Sequence, residues 1–238
     1  MSGHSKWNNI KRKKEKTDAG KAKTFTRVGR EIAVAVREGG ADPTVNFRLR
    51  DVIAKAKANN VPNDNIERII KKASGEDADK KYEIIIYEGY GTGGVAVIVE
   101  TLTDNRNRTA ADVRHAFDKF GAGLGNSGSV MFQFSRRGLI CIDADGLNEE
   151  TVMNDAIECG ADDFAENDGI YEIITEPAKF ISICFALTEK GYTFTSADIE
   201  YHPDTYAEPD EAAVIKTEKL LDMLDDNDDV QNVWHNLL

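Results

Sequence analysis

The chain has 238 residues, of which 41% are hydrophobic and 30% are charged, and its formal net charge is −12. This balance is typical of a globular protein with room for two or three small domains or for one large domain. Because no apolar run could cross a bilayer and the first seven residues lack the apolar core of a secretory signal, we expect neither a membrane protein nor a secreted one. The three cysteines form no Cys-x-x-Cys pair, which favours reduced, buried thiols in the cytoplasm over a disulfide or metal role.

Charge is divided unevenly along the chain. Residues 1–75 contain 18 basic and 8 acidic side chains, a net of +10, whereas residues 76–238 contain 12 and 34, a net of −22. Blocks of opposite sign indicate a basic module for a polyanion, attached to an acidic body. Two alternatives are a merely solvated helical surface and a contact between the basic module and the protein's own acidic body.

The basic part is predicted to be a charged tail followed by three short amphipathic helices. In residues 1–16, Trp7 and Ile10 are the only large apolar residues, so this segment has little surface to bury. The first helix follows a candidate cap at Asp18 and stops at Gly39-Gly40. Its inward face comprises Phe25, Val28, Ile32 and Val36, and a stripe of cations on nearly the opposite side comprises Lys23, Arg27, Arg30 and Arg37.

Two further helices complete the predicted bundle. The second begins near residue 46 and ends at the break formed by residues 59–62. The third runs from about residue 64 to residue 73, with Asn63 as its cap and Gly75 as its stop. The inward residues are Leu49, Val52, Ile53 and Ala56 in the second helix, and Ile66, Ile69 and Ile70 in the third.

Beyond a polar boundary at residues 74–79, the acidic part is predicted to form two units of mixed helix and strand. In the first unit, Thr109 and Asp112 have capping-box spacing at the start of a helix. Its strands are expected at residues 82–87, 95–102 and 129–134, and its helix at residues 108–120. From residue 138 the order is β-α-β-β-α-β, typical of the ferredoxin-like arrangement. These strands are expected near residues 139–142, 163–166, 170–175 and 192–201, with helices at residues 149–158 and after Pro177. A last helix at residues 209–224 and a segment at residues 230–234 are expected to complete the first unit.

We therefore predict an α+β fold in which an N-terminal three-helix domain is followed by two ferredoxin-like α/β domains, one inserted in the other. The basic helical domain is expected to span residues 1–78. The second domain would comprise residues 79–135 plus residues 205–238. The inserted third domain would comprise residues 136–204.

No motif points to an enzyme, a cofactor or a metal site. The four histidines are scattered, and the chain has no His-Glu-x-x-His, Gly-x-Ser-x-Gly or Walker sequence. The acidic clusters at residues 162–166 and 225–229 lack EF-hand spacing, so we interpret them as solvated surface or as a protein-binding face. The glycine-rich residues 89–94 precede a strand and are interpreted as a connecting loop. Residues 121–128 are interpreted as a flexible loop, whose amides are a second candidate for a phosphate contact.

The cations of the first 75 residues are the candidate site. Phosphate contacts by Lys and Arg give an affinity that depends on salt and little on sequence. Trp7 is a candidate for stacking on an exposed base, with burial against Ile10 as the alternative. We find no recognition-helix signature for reading bases in a groove. The candidate nucleic-acid-binding residues are Lys6, Trp7, Lys11, Arg12, Lys13, Lys14, Lys23, Arg27, Arg30, Arg48, Arg50 and Lys57.

Several runs in the sequence resemble the YebC/PmpR family. The resemblance covers essentially the whole chain, with one departure at residues 20–23, where many members have a Lys-Arg-Gly-Lys-like run and this chain has Gly-Lys-Ala-Lys. The matching runs are residues 3–11 (GHSKWNNIK), 30–32 (REI), 37–40 (REGG), 48–50 (RLR), 61–68 (VPNDNIER), 87–91 (YEGYG), 103–109 (TDNRNRT) and 125–130 (GNSGSV).

The resemblance implies a cytoplasmic protein without enzymatic activity, built from a helical domain and two α/β domains. Members of the family are commonly described as DNA-binding transcriptional regulators. A mitochondrial relative is known as a translational activator of cytochrome c oxidase subunit one, and bacterial relatives have been linked to stalled ribosomes. The partner is therefore expected to be DNA or, as the alternative, ribosomal RNA. The acidic domains are expected to face proteins, and the chain is expected to be a monomer that binds no small-molecule substrate.

Overall fold

The structure is a computed structural model that describes residues 18–75 and 81–238, with side chains from residue 24 onward in the first range. The basic tail and the capping side chain of Asp18 therefore lie outside the described residues. In chain order the elements are α1 (Asp18–Gly39), α2 (Phe47–Ala58), α3 (Asn63–Ser74), β1 (Glu83–Tyr90), β2 (Ala96–Thr103), α4 (Arg106–Lys119), β3 (Gly123–Leu124), β4 (Phe134–Asp143), α5 (Glu149–Glu158), β5 (Asp163–Asn167), β6 (Ile170–Thr175), α6 (Phe180–Glu189), β7 (Phe194–Pro203), α7 (Glu211–Asp225) and β8 (Val230–His235).

Helices α1, α2 and α3 form the bundle that the apolar periodicity predicts. Each contributes buried residues to one shared core, among them Ile32 of α1, Leu49 of α2 and Ile66 of α3. Burying these side chains is worth about 1.5–3 kcal/mol each, which the separate helices could not obtain. The three-helix prediction is therefore confirmed, and α1 is the element against which the other two helices pack.

The turn between α1 and α2 is fixed by one buried side chain, Asn46. Its Oδ1 accepts a hydrogen bond from Leu49 N at 3.0 Å and so caps α2, while its Nδ2 donates to the carbonyls of Ala35 (2.7 Å) and Gly40 (2.8 Å). A Cβ on Gly39 would lie 2.7 Å from the Asn46 side chain, so glycine is needed for this close approach. Asn46 thus ties the end of one helix to the start of the next.

Two predicted caps are wrong. Helix α3 starts at Asn63 itself, because Pro62, with a φ of −59°, occupies the cap position without a side-chain hydrogen bond. Helix α4 is capped by Asn105, whose side chain accepts from Arg108 N at 3.1 Å. Thr109 is instead fully buried, and its hydroxyl bonds to groups across the domain. Capping-box spacing alone did not locate the helix start, since Asn105 supplies an equally good acceptor one turn earlier.

The first four-stranded sheet has the order β3-β1-β2-β8, and all its pairings are antiparallel. Helices α4 and α7 cover one face, where Val97 and Val99 of β2 meet Phe117 and Leu220. Because β8 pairs with β2, residues from the end of the chain complete a sheet that begins at residue 83. The second sheet thus lies between two parts of the first in sequence, as the predicted insertion requires.

The second sheet has the order β5-β6-β4-β7, again antiparallel throughout. Its chain order β4-α5-β5-β6-α6-β7 is the predicted ferredoxin-like arrangement. Ile140 and Ile173 from the strands pack against Val152 of α5 and Leu187 of α6. The α+β fold class is confirmed, while the limits of the three domains, as residue numbers, stay a prediction.

The two sheets meet at an aromatic contact. Tyr201 of β7 and Trp234 of β8 pack edge to face with their ring centroids 5.0 Å apart, and Trp234 Nε1 donates to Glu200 Oε2 at 3.2 Å. Phe134, at the start of β4, joins the same apolar cluster. Edge-to-face pairs contribute about 0.5–1.5 kcal/mol beyond the area they bury, so this contact helps to join the inserted unit to the first sheet.

The predicted strand at residues 129–134 is a short 3-10 turn, Met131–Gln133, that leads into β4. The glycine-rich residues before it are tied to Glu88, whose buried carboxylate accepts from the amides of Gly128 (2.7 Å), Val130 (2.9 Å) and Met131 (2.8 Å). Burial would raise the pKa of Glu88, but these three donors hold it below its ordinary value of 4.5. Because Glu88 occupies these amides, they are not available to a phosphate.

Two expectations about the chain as a whole can be compared with the described residues. None of the described helices combines the length and the apolar character that a membrane span requires. Cys141, Cys159 and Cys184 are all free thiols; Cys141 is buried as expected, whereas Cys159 and Cys184 are only partly buried.

Asn46→Ala should destabilise the helical domain by about 1–3 kcal/mol, because it removes a cap and the hydrogen bonds that Asn46 donates to the buried carbonyl of Ala35 and the partly buried carbonyl of Gly40. Denaturant unfolding followed by the helical circular dichroism signal measures this loss. Asn46→Ser is the matched control, since serine can keep the cap while it loses both donated bonds. Equal stability of wild type and Asn46→Ala would show that the turn does not depend on this side chain.

Candidate nucleic-acid interface

The candidate residues fall into three groups. Five of them have described side chains, namely Arg27, Arg30, Arg48, Arg50 and Lys57, and Lys23 lies on α1 with its side chain outside the described residues. The remaining candidates, Lys6, Trp7, Lys11, Arg12, Lys13 and Lys14, lie in the tail outside the described residues. The structure therefore informs on the cations of α1 and α2 only.

One exposed stripe runs along α2. Phe47, Arg50, Ala54 and Lys57 follow one another at helical spacing, all are exposed, and they lie away from the buried Leu49 and Ala56. Phe47 is 64% exposed, and the guanidinium of Arg50 lies 4.9 Å from the centre of its ring. A polyanion backbone can lie close to this surface, because the small Ala54 separates the two cations and the ring of Phe47 lies beside them. We call these four residues the α2 stripe.

The other flank of α2 is neutralised by α1. Lys55 Nζ lies 2.9 Å from Glu31 Oε1, and Arg48 forms an ion pair with Glu38. Residues seven apart on each helix lie on the same side, so the two acids of α1 face the two cations of α2. Arg48 is exposed, but Glu38 neutralises its charge. The sequence pattern instead predicts that Arg48 contacts a phosphate.

Arg27 and Arg30 do not lie on the exposed face that the pattern of α1 predicts. Their side chains are only 12% and 17% exposed, because α1 turns this part of its cation stripe towards the acidic body. Arg27 Nη2 donates to the Asp225 carbonyl at 2.7 Å and lies 3.4 Å from Asp225 Oδ1. This is the alternative in which basic residues bind the protein's own acidic part.

Arg30 contacts more groups of the acidic body than Arg27 does. Its Nη1 donates to the carbonyls of Leu102 (3.0 Å) and Asp228 (2.7 Å), and it lies 2.6 Å from Asp229 Oδ1. These groups lie at the end of β2 and just before β8, so the guanidinium closes the end of that strand pair. We call the contacts of Arg27 and Arg30 with residues 225–229 and Leu102 the α1 latch.

Asp229 is the centre of the α1 latch. Its carboxylate is 4% exposed and accepts from Arg108 Nη2 at 3.0 and 2.9 Å and from the Thr109 hydroxyl at 2.6 Å, in addition to the ion pair with Arg30. Burial would raise the pKa of Asp229, but the hydrogen bonds from Thr109 and Arg108 and the charge of Arg30 hold it below its ordinary value of 3.8. Asp229 is therefore ionised at neutral pH.

The sequence pattern does not identify two features of this surface. Phe47 is an apolar residue outside the inward face of α2. An apolar side chain on the outer face of a helix is a sequence signal of an exposed contact surface. Asp229 belongs to a run of acids that was interpreted as solvated surface, and Arg108 was not assigned to it. No local pattern distinguishes a buried acid from its exposed neighbours when the partners lie about 120 to 200 residues away in the chain.

Asp229→Asn should destabilise the protein by about 1–3 kcal/mol at neutral pH, because it removes the buried negative charge with which Arg30 and the half-exposed Arg108 pair. Since the folded pKa of Asp229 is lowered, its contribution is complete above 3.8 and is lost as the pH falls further. The difference in unfolding free energy between wild type and Asp229→Asn should therefore shrink as the pH falls to about 3. Asp51→Asn, on an exposed part of α2, is the control and should show no such difference. A difference that stays constant with pH would contradict an ionised Asp229.

Comparison with known proteins places this geometry in a family. The TACO1/YebC protein N-terminal domain matches residues 5–76, and the TACO1/YebC second and third domain matches residues 82–237. A probable transcriptional regulatory protein of Finegoldia magna is 57% identical over 237 residues, covering 99% of this chain and 98% of that protein. A probable transcriptional regulatory protein of Acetivibrio thermocellus is 54% identical over 238 residues, with coverages of 99% and 98%.

A solved structure is also similar. The crystal structure of a conserved hypothetical protein from Aquifex aeolicus has a TM-score of 0.83 and 43% identity, covering 94% of this chain and 92% of that chain. The family models together span both the helical part and the two sheets. The resemblance to the YebC/PmpR type is thereby confirmed, and the chain belongs to the TACO1/YebC family.

Proposed function

We propose that this chain is a DNA-binding transcriptional regulator of the cytoplasm, which contacts the phosphate backbone through its basic helical domain. The observation that carries the proposal is the α2 stripe, where Arg50 and Lys57 are exposed beside Phe47. The regulatory role is supported by relatives that are named probable transcriptional regulatory proteins. The chain acts by binding, as a monomer, with no catalytic step and no cofactor.

The charge distribution gives the interface its direction. The first 75 residues have a net charge of +10 and the remainder a net charge of −22, so phosphates are attracted to the helical domain and repelled by the two sheets. The tail cations Lys6, Lys11, Arg12, Lys13 and Lys14 and the α1 residue Lys23 add positive charge to this part of the chain. The acidic domains are left to contact proteins.

A second candidate, binding to ribosomal RNA as a translation factor, rests on Phe47. Its exposed ring, with Arg50 above it, is a platform on which an unpaired base could stack. Duplex DNA offers no unpaired base, so the ring would contribute little there. The two candidates therefore use the same cations and differ in what Phe47 does.

Arg50→Ala with Lys57→Ala should weaken binding to a 20-base-pair DNA duplex roughly 10- to 100-fold and reduce the slope of log affinity against log salt by about two, one unit for each lost phosphate contact. Fluorescence anisotropy with a labelled duplex over a salt series measures both. Lys216→Ala with Lys219→Ala, on an exposed side of α7 in the acidic body, is the matched control and should bind as wild type. Equal affinity of the two double variants would mean that the α2 stripe is not the interface.

Phe47→Ala separates the two candidates. It should leave duplex DNA binding unchanged, whereas a stacking role would cost about 1–3 kcal/mol on single-stranded RNA. Sedimentation of a lysate on a sucrose gradient at low and moderate salt gives the cellular counterpart. Co-migration with ribosomal subunits that survives DNase would contradict the transcription proposal, and sequence-specific DNA protection without ribosome association would contradict the translation candidate.

A further inference from the structure

The α1 latch presents a conflict within the basic domain. Arg27 and Arg30 lie on the same helix as Lys23 and Arg37, yet their guanidinium groups are bound to the acidic body. Guanidinium groups bind carboxylates and phosphates through the same planar set of donors. A phosphate backbone is therefore a chemically equivalent partner for both arginines.

We propose that the α1 latch is autoinhibitory: Asp225, Asp229 and the nearby carbonyls occupy Arg27 and Arg30 in the free protein, and nucleic-acid phosphates compete for the same two side chains. Binding then releases the helical domain from the acidic body and adds two cations to the interface. The proposal rests on the proposed binding of nucleic acid by the helical domain.

The Arg30 side of the latch faces an opening to solvent. Arg30 lines an open polar cavity of about 460 Å³ whose other walls are Asp104, Arg108, Asp112 and residues 226–229. Because water and ions reach this side of the ion pair, screening weakens it more than a fully enclosed pair. A polyanion near the helical domain would also face the body's negative charge, so the closed latch and a bound phosphate backbone oppose each other.

The test is a charge reversal at the latch with a matched reversal elsewhere. Asp225→Lys repels Arg27 without removing Asp229, and Asp145→Lys makes the same change of net charge on an exposed turn of the inserted unit. In anisotropy with a 20-base-pair duplex, Asp225→Lys should bind roughly tenfold more tightly than Asp145→Lys, with a salt slope steeper by about one because Arg27 joins the interface. Small-angle scattering of the free protein should show a larger radius of gyration for Asp225→Lys than for Asp145→Lys.

A triple variant makes the outcome decisive. Adding Arg27→Gln and Arg30→Gln to Asp225→Lys should abolish the gain in affinity and in salt slope, since the released cations are then missing. A gain that persists in this triple variant, or equal affinities of Asp225→Lys and Asp145→Lys, overturns the latch proposal. If Asp225→Lys does not fold, Asp225→Asn replaces it, with Asp145→Asn as its control. Wild-type protein that binds neither the duplex nor single-stranded RNA would instead overturn the proposed function itself.

Discussion

Asp229 is a carboxylate held almost out of water, and it remains charged because groups from two helices supply hydrogen bonds and an ion pair to it. Thr109 and Arg108 come from the first two turns of α4, and Arg30 comes from α1. Without these partners, burial would favour the neutral acid. The same carboxylate therefore fixes α4 against β8 and attaches the helical domain to the body. Each of these bonds joins residues about 120 to 200 positions apart in the chain, so none of them forms from local structure alone.

The two sheets supply the frame for that attachment. Strand β8 pairs with β2, and this pairing places residues 225–229 beside Leu102, where Arg30 arrives. The inserted sheet contacts the first sheet through Tyr201 and Trp234. This contact lies on the face of the first sheet that its helices do not cover. Because the end of the chain completes the sheet that begins at residue 83, the latch depends on the whole body being folded. The acidic residues among 225–229 thus hold parts of the fold together and also repel polyanions.

The helical domain divides its cations by partner. Arg27 and Arg30 face the body, Arg48 and Lys55 face the glutamates of α1, and Arg50 and Lys57 face solvent beside Phe47. A net charge of +10 therefore overstates what a ligand meets on the described helices. The proposed nucleic-acid contact uses the solvent-facing group first, and the proposed competition at the α1 latch adds the body-facing group. The positive charge of the helical domain attracts a polyanion, whereas the negative charge of the body opposes its access to Arg27 and Arg30.

The sequence by itself determined the elements whose cause is local. Apolar spacing located α1, α2 and α3, the β-α-β-β-α-β order identified the ferredoxin-like insertion, and the charge division identified the basic domain. Local pattern failed where a contact at long range decides the outcome. Thr109 resembles a helix cap but is buried against Asp229, residues 121–128 resemble a free loop but are tied to Glu88, and Arg27 and Arg30 resemble an exposed stripe but meet Asp225 and Asp229. Periodicity specifies which residues share a face of a helix, whereas only the tertiary structure specifies what that face meets, because the partner lies elsewhere in the chain.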